Sequence, residues 1–148
     1  MPALLEEALS ETVARLLRSR SARLTASRAG LVNVLAATDR PLTIAEILGQ
    51  RRGLAQSSAY RNLVVLEQAG VVRRIVTHDD RTRYELTEEL TGHHHHLVCS
   101  SCGLVEDVPA SDDLERSVAT AAARTARTTG FRIDHHHLDL VGVCERCA

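Results

Sequence analysis

Lysine and tryptophan are absent from this 148-residue chain, and only Phe131, Tyr60 and Tyr84 are aromatic. So few rings provide no row of stacking platforms, which argues against single-stranded nucleic acid as a partner. Without lysine, every basic side chain other than histidine is a guanidinium, a group suited to bidentate contacts with phosphates and base edges. No window approaches the ~18–20 uninterrupted apolar residues of a membrane span. The first twenty residues carry early acidic side chains and no cleavage-site pattern, so they do not form a signal peptide. These absences predict a cytoplasmic protein with no membrane partner, in a compartment where thiols stay reduced and paired cysteines bind metal.

The remaining composition, 44% apolar and 25% charged, is that of a globular protein. The net charge of −1 argues by itself against a nucleic-acid binder, but the charges are unevenly placed. Up to Thr87, 13 arginines stand against 9 acidic residues, a balance of +4; from Glu88 onward the count is 5 against 10, or −5. A basic front and an acidic, histidine- and cysteine-rich back predict two modules with different partners.

In the front half, Leu5, Leu9, Val13, Leu16 and Leu17 recur at helical spacing within Ala3–Arg18. Thr25 opens a second helical pattern that stops at Asp39-Arg40-Pro41. Thr43-Ile44-Ala45-Glu46 is a capping-box pattern for a short third helix. Ser57 or Ser58 is expected to cap a fourth helix, Ala59–Ala69, ended by Gly70. Val71–Thr77 and Thr82–Leu86 predict a hairpin across His78–Arg81. Three helices followed by a hairpin form a winged helix-turn-helix; the second helix of its pair, here about Ser57–Ala69, is the one that enters a DNA major groove. Candidate DNA contacts are Ser57, Ser58, Tyr60, Arg61 and Asn62 on that helix, with Arg81 and Arg83 among the wing arginines. A merely exposed helix start and a solvated arginine-rich hairpin remain open at this point.

Thr87–Gly92 is a polar, acidic joint, and residues 88–92 form the expected hinge between module 1–87 and module 93–148. Beyond it, strands are expected over His93–Cys99 and Leu104–Val108, a helix over Asp112–Thr128 and a strand over Phe131–Val143. The expected fold class is α+β.

The back half concentrates metal-ligating atoms. His93-His94-His95-His96 runs through Leu97-Val98 into Cys99-x-x-Cys102, while His135-His136-His137 precedes Cys144-x-x-Cys147. Two Cys-x-x-Cys pairs complete a four-thiolate shell with no open position, the pattern of structural zinc; a thioredoxin-like dithiol or a redox switch is the alternative. A strand alternates its faces, so His93 and His95 point one way and His94 and His96 the other, and one run can serve two sites. Glu85, Asp107 and Glu115 are carboxylates able to complete those shells. An affinity tag or a solvated loop would also contain such a run, but tags sit at termini, and here Leu97-Val98-Cys99 follows in strand register. No His-Glu-x-x-His helix or nucleophile motif is present, which points to a binding protein with no small-molecule substrate rather than an enzyme. A metal-dependent hydrolase using the histidine cluster is the rival from another class.

With these residues placed, the chain resembles the ferric uptake regulator superfamily over nearly its whole length. The resemblance is carried by Arg23-x-Thr25-x-x-Arg28, Ser58-Ala59-Tyr60-Arg61-Asn62-Leu63, Ala69-Gly70-Val71-Val72, Tyr84-Glu85-Leu86, the His93–Gly103 block and Cys144-x-x-Cys147. It implies a homodimeric, metal-activated repressor of double-stranded operator DNA, with a winged helix followed by a small α/β dimerisation domain. It assigns Cys99, Cys102, Cys144 and Cys147 to structural zinc. His93, His95, Glu115 and His136 match a second centre, and Glu85, His94, His96 and Asp107 a hinge centre that senses metal. Arg28 joins the DNA-facing set. Two departures stand out: no histidine ligand occurs around Pro41-Leu42, and the joint is longer than expected, which leaves Glu88 or Glu89 as substitutes for Glu85. The all-histidine run, with His95 where iron-sensing members often carry Asp, is closer to the zinc-sensing branch, whereas Glu85 replaces a cysteine common there. The regulatory metal is therefore expected to be zinc, with iron next. A peroxide sensor, in which iron oxidises a ligating histidine, is the alternative within the same superfamily.

Overall fold

The apolar spacing at the start of the chain builds α1 (Pro2–Arg18), which buries Val13 and Leu17. The computed structural model describes residues 2–148, with side chains from Glu6 onward, so Leu5 lies outside the described side chains. The Thr25 hydroxyl accepts from the Arg28 amide and caps α2 (Ala26–Ala36), which contributes Leu31, Val32 and Leu35 to the core. Leu42–Thr43 forms a short strand, β1, not anticipated from the sequence. Thr43 then caps α3 (Ile44–Gln50) with the expected reciprocal box: its hydroxyl accepts from the Glu46 amide while the Glu46 carboxylate accepts from the Thr43 amide at 2.7 Å.

The fourth helix, α4 (Gln56–Gln68), begins earlier than predicted. Its N-cap is Ala55, with no side-chain cap, so neither Ser57 nor Ser58 has the capping role expected of it. Packing sets this start, since Ala59, Leu63 and Leu66 must face the core and do so fully buried. Gly70, at φ +75°, ends the helix in the left-handed region. β2 (Val72–Val76) and β3 (Thr82–Leu86) pair antiparallel from Val72↔Leu86 to Val76↔Thr82, and β1 pairs along the other edge of β3. This is the winged helix-turn-helix. The acidic joint is not extended: Glu88–Thr91 makes one helical turn, α5, and Leu90 packs against the core formed by the helices and hairpin. The first unit accordingly runs to Gly92 and the second is His93–Ala148.

In the second unit, β4 (His94–Cys99) pairs antiparallel with β5 (Val105–Pro109) and parallel with β6 (Asp139–Gly142), giving the order β5-β4-β6. α6 (Asp112–Thr129) is capped by the Ser111 hydroxyl and ended by Gly130 at φ +76°. The expected strand over Phe131–Val143 shrinks to β6. Alternation alone does not make a ladder, and pairing with β4 begins only at His96↔Asp139. Residues 131–136 instead run alongside α6, where Phe131 and Ile133 line a groove with Val118, Ala122 and Ala126. No residue of α6 is fully buried; its half-buried stripe is Leu114, Val118, Ala122 and Ala126, with Ala121 and Thr125 exposed. No helix among the described residues is long and apolar enough to cross a membrane.

Candidate metal centres and nucleic-acid face

The four cysteines come from the two ends of the second unit. Cys99 ends β4, Cys102 lies in the turn after it, and Cys144 and Cys147 follow β6. None is in a disulfide. Their sulfurs lie within 4.8 Å of one another, with Cys102 Sγ 3.8 Å from Cys144 Sγ. A tetrahedral shell with bonds of ~2.3 Å puts its sulfurs about 3.8 Å apart, so this donor set is close to the spacing zinc requires. The backbone amides of Cys102 and Cys144 donate to Cys99 Sγ and lower that thiol to about 6, favouring the thiolate that binds metal. At Cys147 a hydrogen bond with the Ser101 hydroxyl pulls down, but the neighbouring Cys144 and Cys102 outweigh it and the thiol is pushed up to about 11. The Ser101 contact was not foreseen from the sequence.

The histidine run alternates from His93, immediately before β4, through His96 within it. On one face His93, His95 and His136 converge on Glu115 of α6. His93 Nε2 is 3.1 Å from His136 Nε2 and 3.3 Å from Glu115 Oε2, His136 Nε2 is 3.2 Å from the same oxygen, and His95 Nε2 is 2.6 Å from Oε1. Tetrahedral bonds of ~2.0–2.1 Å to nitrogen and oxygen imply donor separations of about 3.3 Å, so this group is also shaped for a small divalent cation. The His95 contact, with help from His136 and His93, holds the Glu115 carboxyl below its usual range and keeps it an anionic donor.

On the other face, His94 Nε2 and His96 Nε2 each lie 3.9 Å from Asp107 Oδ1 on β5, a wider three-donor arrangement. His96 Nδ1 faces Asp139 Oδ1 at 3.3 Å, a partner that sequence reasoning missed because it depends on the parallel β4–β6 register. Glu85 belongs to the first unit, where it is buried on β3 and ion-paired with Arg73 across the hairpin; Arg73 also reaches Glu88 at 3.4 Å. Two of the three candidate joint carboxylates thus share one guanidinium, while Glu89 lies 3.8 Å from Arg15.

The predicted DNA-facing residues divide into exposed and engaged groups. Ser57, Tyr60 and Arg61 on α4 and Arg81 on the wing are exposed. Arg28 and Asn62 hold each other: Arg28 Nε donates to Asn62 Oδ1 at 3.1 Å, while Asn62 donates to the Ser58 carbonyl at 2.9 Å. They position the N-terminal end of α4 as well as flanking it. Arg83 departs from expectation. It is buried, and its guanidinium donates to Thr77 and to both carboxylate oxygens of Asp79, 2.9 Å at Oδ2. It shapes the turn that presents Arg81 and has no free face for phosphate.

A winged helix coupled to a thiolate knuckle and paired histidine clusters defines a DNA-binding metalloregulator. The ferric uptake regulator family model matches residues 19–141, and the chain belongs to that family. It is 32% identical over 143 residues to the ferric uptake regulation protein of Bacillus subtilis, covering 93% of each chain. It is 29% identical over 144 residues to the peroxide operon regulator of the same organism, covering 96% of this chain and 90% of that one. Its fold matches that of the Helicobacter pylori ferric uptake regulator, described as having three functional metal binding sites, with a TM-score of 0.77, 22% identity and coverage of 96% and 93%. The chain is a transcription regulator and not an enzyme, so the hydrolase alternative falls.

Proposed function

We propose that this protein is a metal-responsive repressor that binds a palindromic operator as a homodimer when its regulatory centre is loaded, with zinc preferred over iron. The observation that carries the reading is the alternation of His93–His96 into the first strand after the joint, which divides one run between two donor groups. Cys99, Cys102, Cys144 and Cys147 would hold a permanent zinc. His93, His95, Glu115 and His136 would hold an exchangeable one, three imidazoles and one carboxylate suiting zinc. His94, His96 and Asp107 are proposed as the regulatory donors, with Glu85 the fourth; its position on β3, the last strand before the joint, supports that choice. A bound divalent cation would supply charge neutralisation and cross-linking among these donors.

Self-association is supported by the surface of the second unit. α6 leaves its apolar stripe half-exposed, and Phe131, Leu140, Val141 and Val143 are exposed along the segments beside it and on β6. Exposed apolar side chains on a helix stripe and along an edge strand are candidate interface surface, and an open strand edge invites pairing. A twofold dimer presents two α4 helices to two half-sites. Ser57, Tyr60 and Arg61 would meet base edges and phosphates, and Arg81 the backbone.

The test is fluorescence anisotropy on an operator selected from random duplexes, comparing the wild type with the His94→Ala/His96→Ala double variant at buffered free Zn(II) and Fe(II). The wild type gains affinity with metal and the variant does not; equal metal responses would overturn the assignment. A second reading, peroxide sensing by iron-dependent oxidation of a ligating histidine, draws support from the likeness to a peroxide operon regulator. Oxygen added to His94 or His96 after peroxide treatment of the iron form, seen by peptide mass spectrometry, would establish it.

A further inference from the structure

The pairing of β6 with β4 sets Asp139 directly opposite His96 in a parallel ladder, and the His96 amide donates to the Leu138 carbonyl at 3.3 Å. The two side chains meet on the same side of the sheet, with Asp139 Oδ1 at 3.3 Å from His96 Nδ1. The other ring nitrogen, Nε2, faces Asp107. A neutral imidazole has one bare nitrogen to offer a cation, and the group that holds the other nitrogen decides which one it is.

We propose that Asp139 is a positioning residue of the regulatory centre: it accepts a hydrogen bond from His96 Nδ1–H and so leaves Nε2 unprotonated, with its lone pair on the side where His94 and Asp107 stand. The inference rests on reading His94 and His96 as regulatory donors. The burial pattern fits the division of roles, because the His96 ring is buried and its orientation set by its surroundings, while the Asp139 side chain is 51% exposed and touches the ring from the strand edge. Asp139 also places the control of His96 on the strand that carries the exposed Leu140 and Val141. Outer partners of metal-ligating histidines typically change metal affinity by about 10- to 100-fold when removed.

The experiment uses the full chain with its four-thiolate zinc retained, in a His93→Ala/His136→Ala background that leaves one exchangeable centre. Zn(II) affinity is measured by chelator competition for Asp139→Ala, Asp139→Glu and His96→Ala, and the His96 ring nitrogens are followed by 15N NMR in the metal-free protein. The expected result is an affinity loss of about 10- to 100-fold in Asp139→Ala, partial recovery in Asp139→Glu, and a shift of His96 away from the Nδ1–H tautomer. An Asp139→Ala variant with unchanged affinity, beside a His96→Ala variant that loses binding, overturns the proposal while the regulatory assignment stands. Lost affinity with an unchanged His96 tautomer also overturns it, because that pattern marks a merely structural role. Unchanged affinity in His96→Ala overturns the regulatory assignment itself.

Discussion

Replacing Cys144 by Ala removes one of the four sulfurs and should unfold the second unit while leaving the first intact. Among the described residues, the buried aliphatic side chains of that unit are Val98 and Val105. At roughly 1.5–3 kcal/mol each, they contribute about 3–6 kcal/mol. A structural zinc contributes an apparent ~10–16 kcal/mol at neutral pH, so a zinc held by the four thiolates would stabilise this unit more than its aliphatic core does, by a factor of about two or more. The first unit has its own cluster, running from Val13 and Leu17 through Leu31, Ile47, Leu63 and Leu66 to Leu86, and contains no cysteine. Hydrogen exchange read by mass spectrometry separates the two: peptides from β4, β5 and β6 lose protection in Cys144→Ala or after zinc extraction, whereas α2, α4 and the hairpin keep theirs. Near-ultraviolet circular dichroism offers a second check, since Tyr60 and Tyr84 both lie in the first unit and their signal should persist. Full protection across the second unit after complete zinc removal would refute the reasoning.

The wing provides three further tests. The Arg83 hydrogen bonds hold the Asp79 carboxyl far below the ordinary carboxylate range, with Thr77 and the Arg81 amide assisting. A depressed carboxylate gives stability that is complete above its unfolded value of ~3.9 and is lost as the pH falls toward the folded one. Asp79→Asn should therefore flatten the dependence of Tm on pH below about 5; an unchanged acid limb would contradict the pairing. Arg81→Ala should leave stability within about 0.5 kcal/mol and reduce the salt slope of operator binding by about 0.9 for each phosphate no longer neutralised. Arg83→Ala should do the reverse, costing about 1–3 kcal/mol in urea unfolding because it leaves the half-buried Asp79 carboxylate without its donor.

Much of this was legible because the determining signals are local. The capping box at Thr43 and Glu46, the left-handed stop at Gly70 and the period-two alternation of His93–His96 depend on neighbours only a few residues away. What escaped depends on tertiary pairing. Ser57 and Ser58 have better capping chemistry than Ala55, yet the burial of Ala59 and Leu63 sets where α4 begins. Residues 131–138 alternate like a strand, but only 139–142 find ladder partners on β4. Arg83 has the residue type of a phosphate contact, and its burial against Asp79 follows from a hairpin turn that spacing does not reveal. Asp139 could be matched to His96 only once β6 was known to run parallel to β4.

The central claim is that metal at the donors around His94 and His96 controls operator affinity. It is tested most directly by titrating operator binding of the wild type, with its four-thiolate zinc retained, against buffered free Zn(II), Fe(II), Mn(II) and Ni(II). The account predicts weak, sequence-indifferent binding without added metal and a saturable rise in operator affinity, earliest in zinc, that approaches the ~5.5 kcal/mol needed for a full swing from 1:99 to 99:1. Equal operator affinity at every free-metal concentration would contradict it.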